Sequence, residues 1–324
     1  SALSLTIDNV QSTVAASTNK SDGSYKSGET INITLTFSEN VILTGANGLN
    51  VTLDTGDVIN IAASDLDGST NTVTKTYTVG AGDNSSDLTV SGIALGTSAT
   101  LKDTAGNDAN ISSLTSNIAT TSAVVVDTTA ATVSSIAITA ATNAQNNFVN
   151  EDDVVSITAT FSEAVLVTGT PQLALNIGGS TVNASYVSGS NSTALVFQYT
   201  ILSGQNDSDG ISVDTNSLAL NSGTIKDAAG NAATITHSAV SANSSYKVDT
   251  VSPPNPSAAL NSGSDLGTSN NISNDTTPTV DVTLGSNTLA NDTVYLKLGS
   301  TVLAQKTLSS DDITNGSVSL TSSA

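Results

Sequence analysis

Residues 28–40 read GETINITLTFSEN and residues 152–164 read DDVVSITATFSEA, and the pairing of these two stretches decides the fold. In each, Ile, Val, Leu, Ala and Phe alternate with Thr, Ser and Asn, the period-2 pattern of a strand with one buried face. Further along, KDTAGNDA at 102–109 returns as KDAAGNAA at 226–233, and VVVDTTAATV from Val124 returns as YKVDTVSPPN from Tyr246. Phe37 to Phe161, Glu39 to Glu163 and Asp103 to Asp227 are all separated by 124 residues. Asp127 to Asp249, and Asp87 to Asp209 in the loops GDNSSD and GQNDSD, are separated by 122. So little drift marks one duplicated domain.

Within each copy the runs are short and bounded by Gly, Asn, Asp and Ser, as in NTVTKTYTV at 71–79 and TALVFQYTI at 193–201. No segment shows a helical period. About seven such strands in ~120 residues predict an antiparallel sandwich. The expected fold is all-β, with sandwiches joined end to end over residues 1–127 and 128–251 and a partial third unit over 252–324. In that third unit NDTTPTVDVTL at 274–284 reads as a strand, and VYLKLGSTVLAQKTL at 294–308 as a hairpin around Gly299 and Ser300.

The chain has 324 residues, no Cys, Met, Trp or Arg, one His, and a formal charge of −20. Nucleic acid is a poor partner for such a chain, because phosphate binding needs clustered Lys and Arg. Without Cys there is neither a disulfide nor thiol chemistry. No run approaches the ~18 apolar residues of a membrane-spanning helix, so no membrane insertion is expected. The chain begins without Met or a leader-like segment and reads as an excised segment. Four of the 28 acids are Glu and the rest Asp, a bias that suits turns and Ca²⁺ loops.

The FSE strand end, the K-D-x-A-G-N loop and the V-D-T-T linker resemble the bacterial Ig-like tandem repeats of giant type I-secreted surface adhesins of the RTX class. ISNDTTPTV at 272–280 is similar to a second Ig-like subfamily of the same proteins. The linker after Asp127 departs from the pattern, reading TTAA where the family more often has TTAP. The resemblance implies an Ig-like sandwich fold, a secreted or cell-surface location, no enzymatic activity and Ca²⁺ at domain junctions. It further implies a monomer whose partners are the neighbouring repeats, with a host or biofilm surface reached through other domains.

Topology gives the acids a place. In a sandwich, the turn after the second strand and the turn before the last strand share the N-terminal pole. Asp127 of the first linker is therefore expected against Glu163 and Asp227, with Asp22 or Glu29 closing from the preceding unit. The corresponding acids of the first copy are Glu39 and Asp103. At the second junction Asp249 is expected beside Glu151, Asp152 and Asp153, joined by Asp265 or Asp275. Converging carboxylates repel unless a cation lies among them, and Ca²⁺ takes 6–8 hard oxygen ligands. The alternative is a set of Asx turns with no metal.

Nothing in the sequence favours catalysis. His237, read as part of a late strand, is the sole His, and no G-x-S-x-G elbow is present. The aromatics Phe37, Phe161, Phe197 and Tyr199 fall at strand positions expected in the core, whereas Tyr186 and Tyr246 are candidates for exposure. The functional expectation is a Ca²⁺-stiffened adhesin stalk projecting a distal binding domain. Its alternatives are a segment that itself binds polysaccharide or a surface, or an accessory module of a secreted hydrolase.

Overall fold

A computed structural model describes residues 7–265 and 273–323. Ile272, where ISNDTTPTV begins, lies outside them. The protein is all-β, with short strands in multiple, mostly antiparallel sheets. No helix is long and apolar enough to cross a membrane, among the described residues.

Alternation in sequence becomes alternation in burial. In the strand Thr30–Phe37, Ile31, Ile33, Leu35 and Phe37 are buried, while the Thr and Asn between them are not. This strand lies between Thr13–Thr18 and Thr72–Thr78, antiparallel to both, with Phe37 opposite Val14 and Thr30 opposite Thr78. Across the core, Leu49–Leu53 pairs with Val58–Ile61 and Val90–Leu95, and Val41–Thr44 pairs with Thr100–Asp103. Side chains from both sets, Val14 and Leu35 from one and Leu43 and Val51 from the other, form one hydrophobic cluster. Each fully buried Leu, Ile or Phe stabilises such a core by about 1.5–3 kcal/mol.

A second cluster runs from Ala131 to Val248 and is separate from the first. Here the strand that begins with VVSITATF does not stop at the FSE position but continues from Val154 to Thr168. In the first copy the chain breaks between Phe37 and Val41 at Ser38, Glu39 and Asn40. The second copy has Ala164 in place of the turn-forming Asn40, and its strand passes through an irregular register between Thr160 and Val165. Both copies then change partners in the same way, Val41–Thr44 joining Thr100–Asp103 and Leu166–Thr168 joining Thr224–Lys226.

The third cluster is small, with Val282, Leu308, Val318 and Leu320 buried. The expected hairpin is present as Thr293–Leu298 and Thr301–Thr307, turning at Gly299 with φ +61°. Among the described residues one α-helix, Ser310–Asn315, and two single 3-10 turns, Ala63–Asp65 and Ile118–Thr120, depart from the all-strand expectation; the α-helix is the longest. It is too short to show a 3.6-residue period, and its caps hold it. Ser309 Oγ accepts from Asp312 N, Asp312 Oδ2 accepts from Ser309 N, and Gly316 closes it at φ +65°.

Candidate metal centre

The K-D-x-A-G-N loop is a turn organised by its own Asp. Asp103, 1% exposed, accepts from Gly106 N at 2.7 Å and Asn107 N at 2.8 Å through Oδ1, and from Asn107 Nδ2 at 2.7 Å through Oδ2. Asp227, also 1% exposed, accepts from Asn231 N and Nδ2, both at 2.9 Å. Gly106 and Gly230 take φ of +101° and +89°, a region in which a Cβ would be strained. The Asn closing each loop also reaches the segment entering its unit. Asn231 Nδ2 donates to Asp127 O at 3.0 Å, and Asn107 Nδ2 to Asp8 O at 3.3 Å.

That contact draws a second Asp to the loop. Asp127 Oδ1 accepts from Thr129 N, and Asp8 Oδ1 from Val10 N, the same Asx turn in both places. A Glu completes each group. Carboxylate oxygens of Asp127, Glu163 and Asp227 all lie within 4.8 Å of one another, as do those of Asp8, Glu39 and Asp103.

The electrostatics follow from the crowding. Burial, then the charges of Asp127 and Asp227, push the Glu163 carboxyl above its ordinary value. Glu39 moves the same way, through desolvation and then the charges of Asp8 and Asp103. For Asp103 burial pushes upward, but hydrogen bonds from the Asn107 side chain, Asn107 N and Gly106 N outweigh it and hold the carboxyl below its usual range. Among the described residues no Lys ion-pairs with a member of either group; the ion pairs are Lys75–Asp65, Lys102–Asp108 and Lys306–Asp312. Each group is thus an all-oxygen, trianionic donor set with one buried member, which suits a hard divalent cation such as Ca²⁺ and offers nothing to a soft one.

The remaining expected acids lie outside both groups. Asp22 accepts from Ala123 N at 2.8 Å, and Glu29 from Lys26 N at 2.8 Å, so each is engaged with its own unit. The side chain that instead crosses from the first unit is Lys26, whose Nζ donates to Gly230 O at 3.0 Å. At the second junction Asp249 repeats the Asx turn through Val251 N. It gathers no acid triad among the described residues. Asp153 is buried, accepting from Asn150 N and Asn143 Nδ2, while Glu151 and Asp152 are exposed. Asp275 accepts from Thr277 N and Ser264 Oγ, and Asp265 is in neither group. Asp8 was the ligand-type residue that sequence reasoning missed. Its signal was present, since Asp8 in LTIDNVQSTV stands 119 residues before Asp127 in VVVDTTAATV.

His237 is not in a strand and is half-buried. Its Nε2 accepts from Ser217 N at 2.9 Å and Leu218 N at 3.2 Å, and Nδ1 lies 2.9 Å from Ser238 O. The ring serves as a structural hydrogen-bond partner. Tyr186 and Tyr246 both pack against the second core, Tyr186 edge-on to Phe197 at 6.0 Å. The GDNSSD and GQNDSD loops are likewise occupied with structural bonds: Asp83 accepts from Tyr77 Oη and Gly80 N, and buried Asp207 from Gly178 N and Gly210 N. No family model matches this chain, and no curated protein matches it.

Proposed function

We propose that this chain is a stretch of an extracellular bacterial adhesin stalk in which Ca²⁺ stiffens the joint between the first two Ig-like units. One observation carries the reading. An Asp of the entering segment, a Glu and a buried loop Asp converge in both copies, and at Asp127 the first of these belongs to the segment joining the two units. A cation shared by Asp127, Glu163 and Asp227 would tie the linker to the second unit and relieve the repulsion that raises the Glu163 carboxyl. Backbone carbonyls and water complete such a shell. Asp8, Glu39 and Asp103 form the equivalent half-joint at the entrance of the first unit. The adhesin assignment and surface location rest on the resemblance of the FSE, K-D-x-A-G-N and V-D-T-T motifs.

Calorimetric titration of the metal-stripped chain with Ca²⁺ tests the proposal. Two ions per chain are expected, one for each acid group. Asp127→Asn should remove one and leave the other. Absence of Ca²⁺ binding at millimolar concentration, or an unchanged stoichiometry in Asp127→Asn, refutes it.

A further inference from the structure

The second junction holds no acid triad among the described residues; it holds a cleft. A cavity of about 650 Å³ opens between the second unit, the linker after Asp249 and the third unit. That volume is within the range of small-molecule sites. The linker gives it fixed walls. Pro253, Pro254 and Pro256 restrict the backbone, and Pro254 packs so closely that a Cβ on Gly285 would meet its carbonyl oxygen at 2.6 Å. Asn291 Nδ2 lies 3.4 Å from Asn146 Oδ1, joining the third unit to the second.

Two aromatic rings line the cleft from opposite units, Phe148 and Tyr295, the latter 50% exposed. Lys247, which does not line the cleft, holds its Nζ 5.4 Å from the Phe148 ring centroid, and Lys297, which does, holds its Nζ 5.1 Å from that of Tyr295, so each ring keeps its other face for a ligand. The lining also holds polar groups with capacity left over. The side-chain amides of Asn150 and Asn287 have no hydrogen-bond partner among the described residues, and both residues are exposed. Asp249 Oδ1 receives Val251 N and Asp292 Oδ2 receives Leu289 N, leaving the other oxygen of each carboxylate to a ligand.

We infer that this cleft binds a neutral oligosaccharide. Ring faces pack against the C–H faces of pyranose rings, amides both donate to and accept from hydroxyls, and carboxylates accept from hydroxyls. Asp249 and Asp292 outnumber Lys297 in the lining, and in a chain carrying −20 overall this balance disfavours an acidic glycan. The site is independent of the cation reading, because it contains no member of either acid triad. It gives the stalk a lateral hold on a polysaccharide matrix.

The full chain is screened on an array of neutral and acidic glycans, and the strongest neutral hit is titrated as its tetrasaccharide by NMR. Neutral glycans should bind in chelator as well as in Ca²⁺. Tyr295→Ala, and separately the exposed pair Asn150→Ala with Asn287→Ala, should each weaken binding at least tenfold without lowering Tm. Val187→Ser, at an exposed position away from the cleft, should bind as wild type. Binding of acidic glycans alone, or of nothing, overturns the inference. So does neutral-glycan binding that survives both cleft variants or disappears in chelator.

Discussion

Asn231 occupies a small position with three obligations: its N–H and amide serve Asp227, and the same amide holds Asp127 O. Asn231→Ala leaves a buried carboxylate short of a donor and frees the linker carbonyl, a loss of about 1–3 kcal/mol. Chemical denaturation should show this as a lower midpoint for the second unit, with Asn107→Ala doing the same to the first. Glu163 behaves in the opposite sense. Because burial and the neighbouring carboxylates raise its carboxyl in the fold, ionising it costs stability, which is fully present below the ordinary Glu value and lost as pH rises through the raised one. In chelator at neutral pH, Glu163→Gln should therefore raise Tm, by about 1–2 °C for a few tenths of a kcal/mol. In Ca²⁺ the same variant should lose that advantage, having lost a ligand. A Tm gain that persists in saturating Ca²⁺ would count against Glu163 as a ligand. Asp127, Glu163 and Asp227 were legible because a two-residue difference in repeat offset still aligned their motifs. Asp8 was not, because the residues around it diverge and only its spacing remains.

The loops at 80–88 and 202–210 show how the duplicated element keeps a shape while changing its chemistry. In the first, Asp83 Oδ2 takes Gly80 N at 2.6 Å and the Tyr77 phenol; burial and then this bond push the phenol up. In the second, Gln205 Oε1 takes Leu202 N at 2.8 Å, and its Nε2 donates to Tyr199 Oη at 2.9 Å. One neutral amide replaces the carboxylate, and the hydrogen bond to Tyr reverses direction. Asp83→Gln should hence fold within about 0.5 kcal/mol of wild type, whereas Asp83→Ala, which removes the acceptor of the phenol O–H and of Gly80 N–H, should lose about 1–3 kcal/mol. Urea midpoints of the two variants check the contrast, and equal losses would contradict it. Strands were the most legible elements, since TINITLTF matched its strand end to end. The long run from Val154 to Thr168 was less so, because a chain that changes partners without a turn leaves no Gly or Pro to mark the change. The helix at Ser310 was readable only from its capping residues, as six residues cannot establish a period.

At the scale of the whole molecule the two junctions are different joints. The first has an acid triad, an Asn–carbonyl bond and the Lys26 ammonium on Gly230 O. Among the described residues its second-junction counterpart has no triad and no lysine bonded across it: Asn150, which donates N–H to Asp153 as Lys26 does to Glu29, stands in the place of Lys26. The sequence hid this difference. Asp249 looks like Asp127 in its own segment, but the third unit carries no FSE or K-D-x-A-G-N motif to meet it. Calcium should accordingly stiffen only one joint. Small-angle scattering of the full chain should show a longer maximum dimension in Ca²⁺ than in chelator, the change arising at residues 127–132. Removing the ion leaves the carboxylates in mutual repulsion, with the Lys26 bond as a residual tether worth little once exposed to water. Lys26→Ala should therefore be nearly silent in Ca²⁺ and should increase the chelator-induced contraction. Asp127→Asn should scatter like the chelated wild type whether Ca²⁺ is present or not. An identical scattering profile for wild type in both conditions would mean that the first joint is held by packing alone, and that its carboxylates are the turn-forming residues they also are.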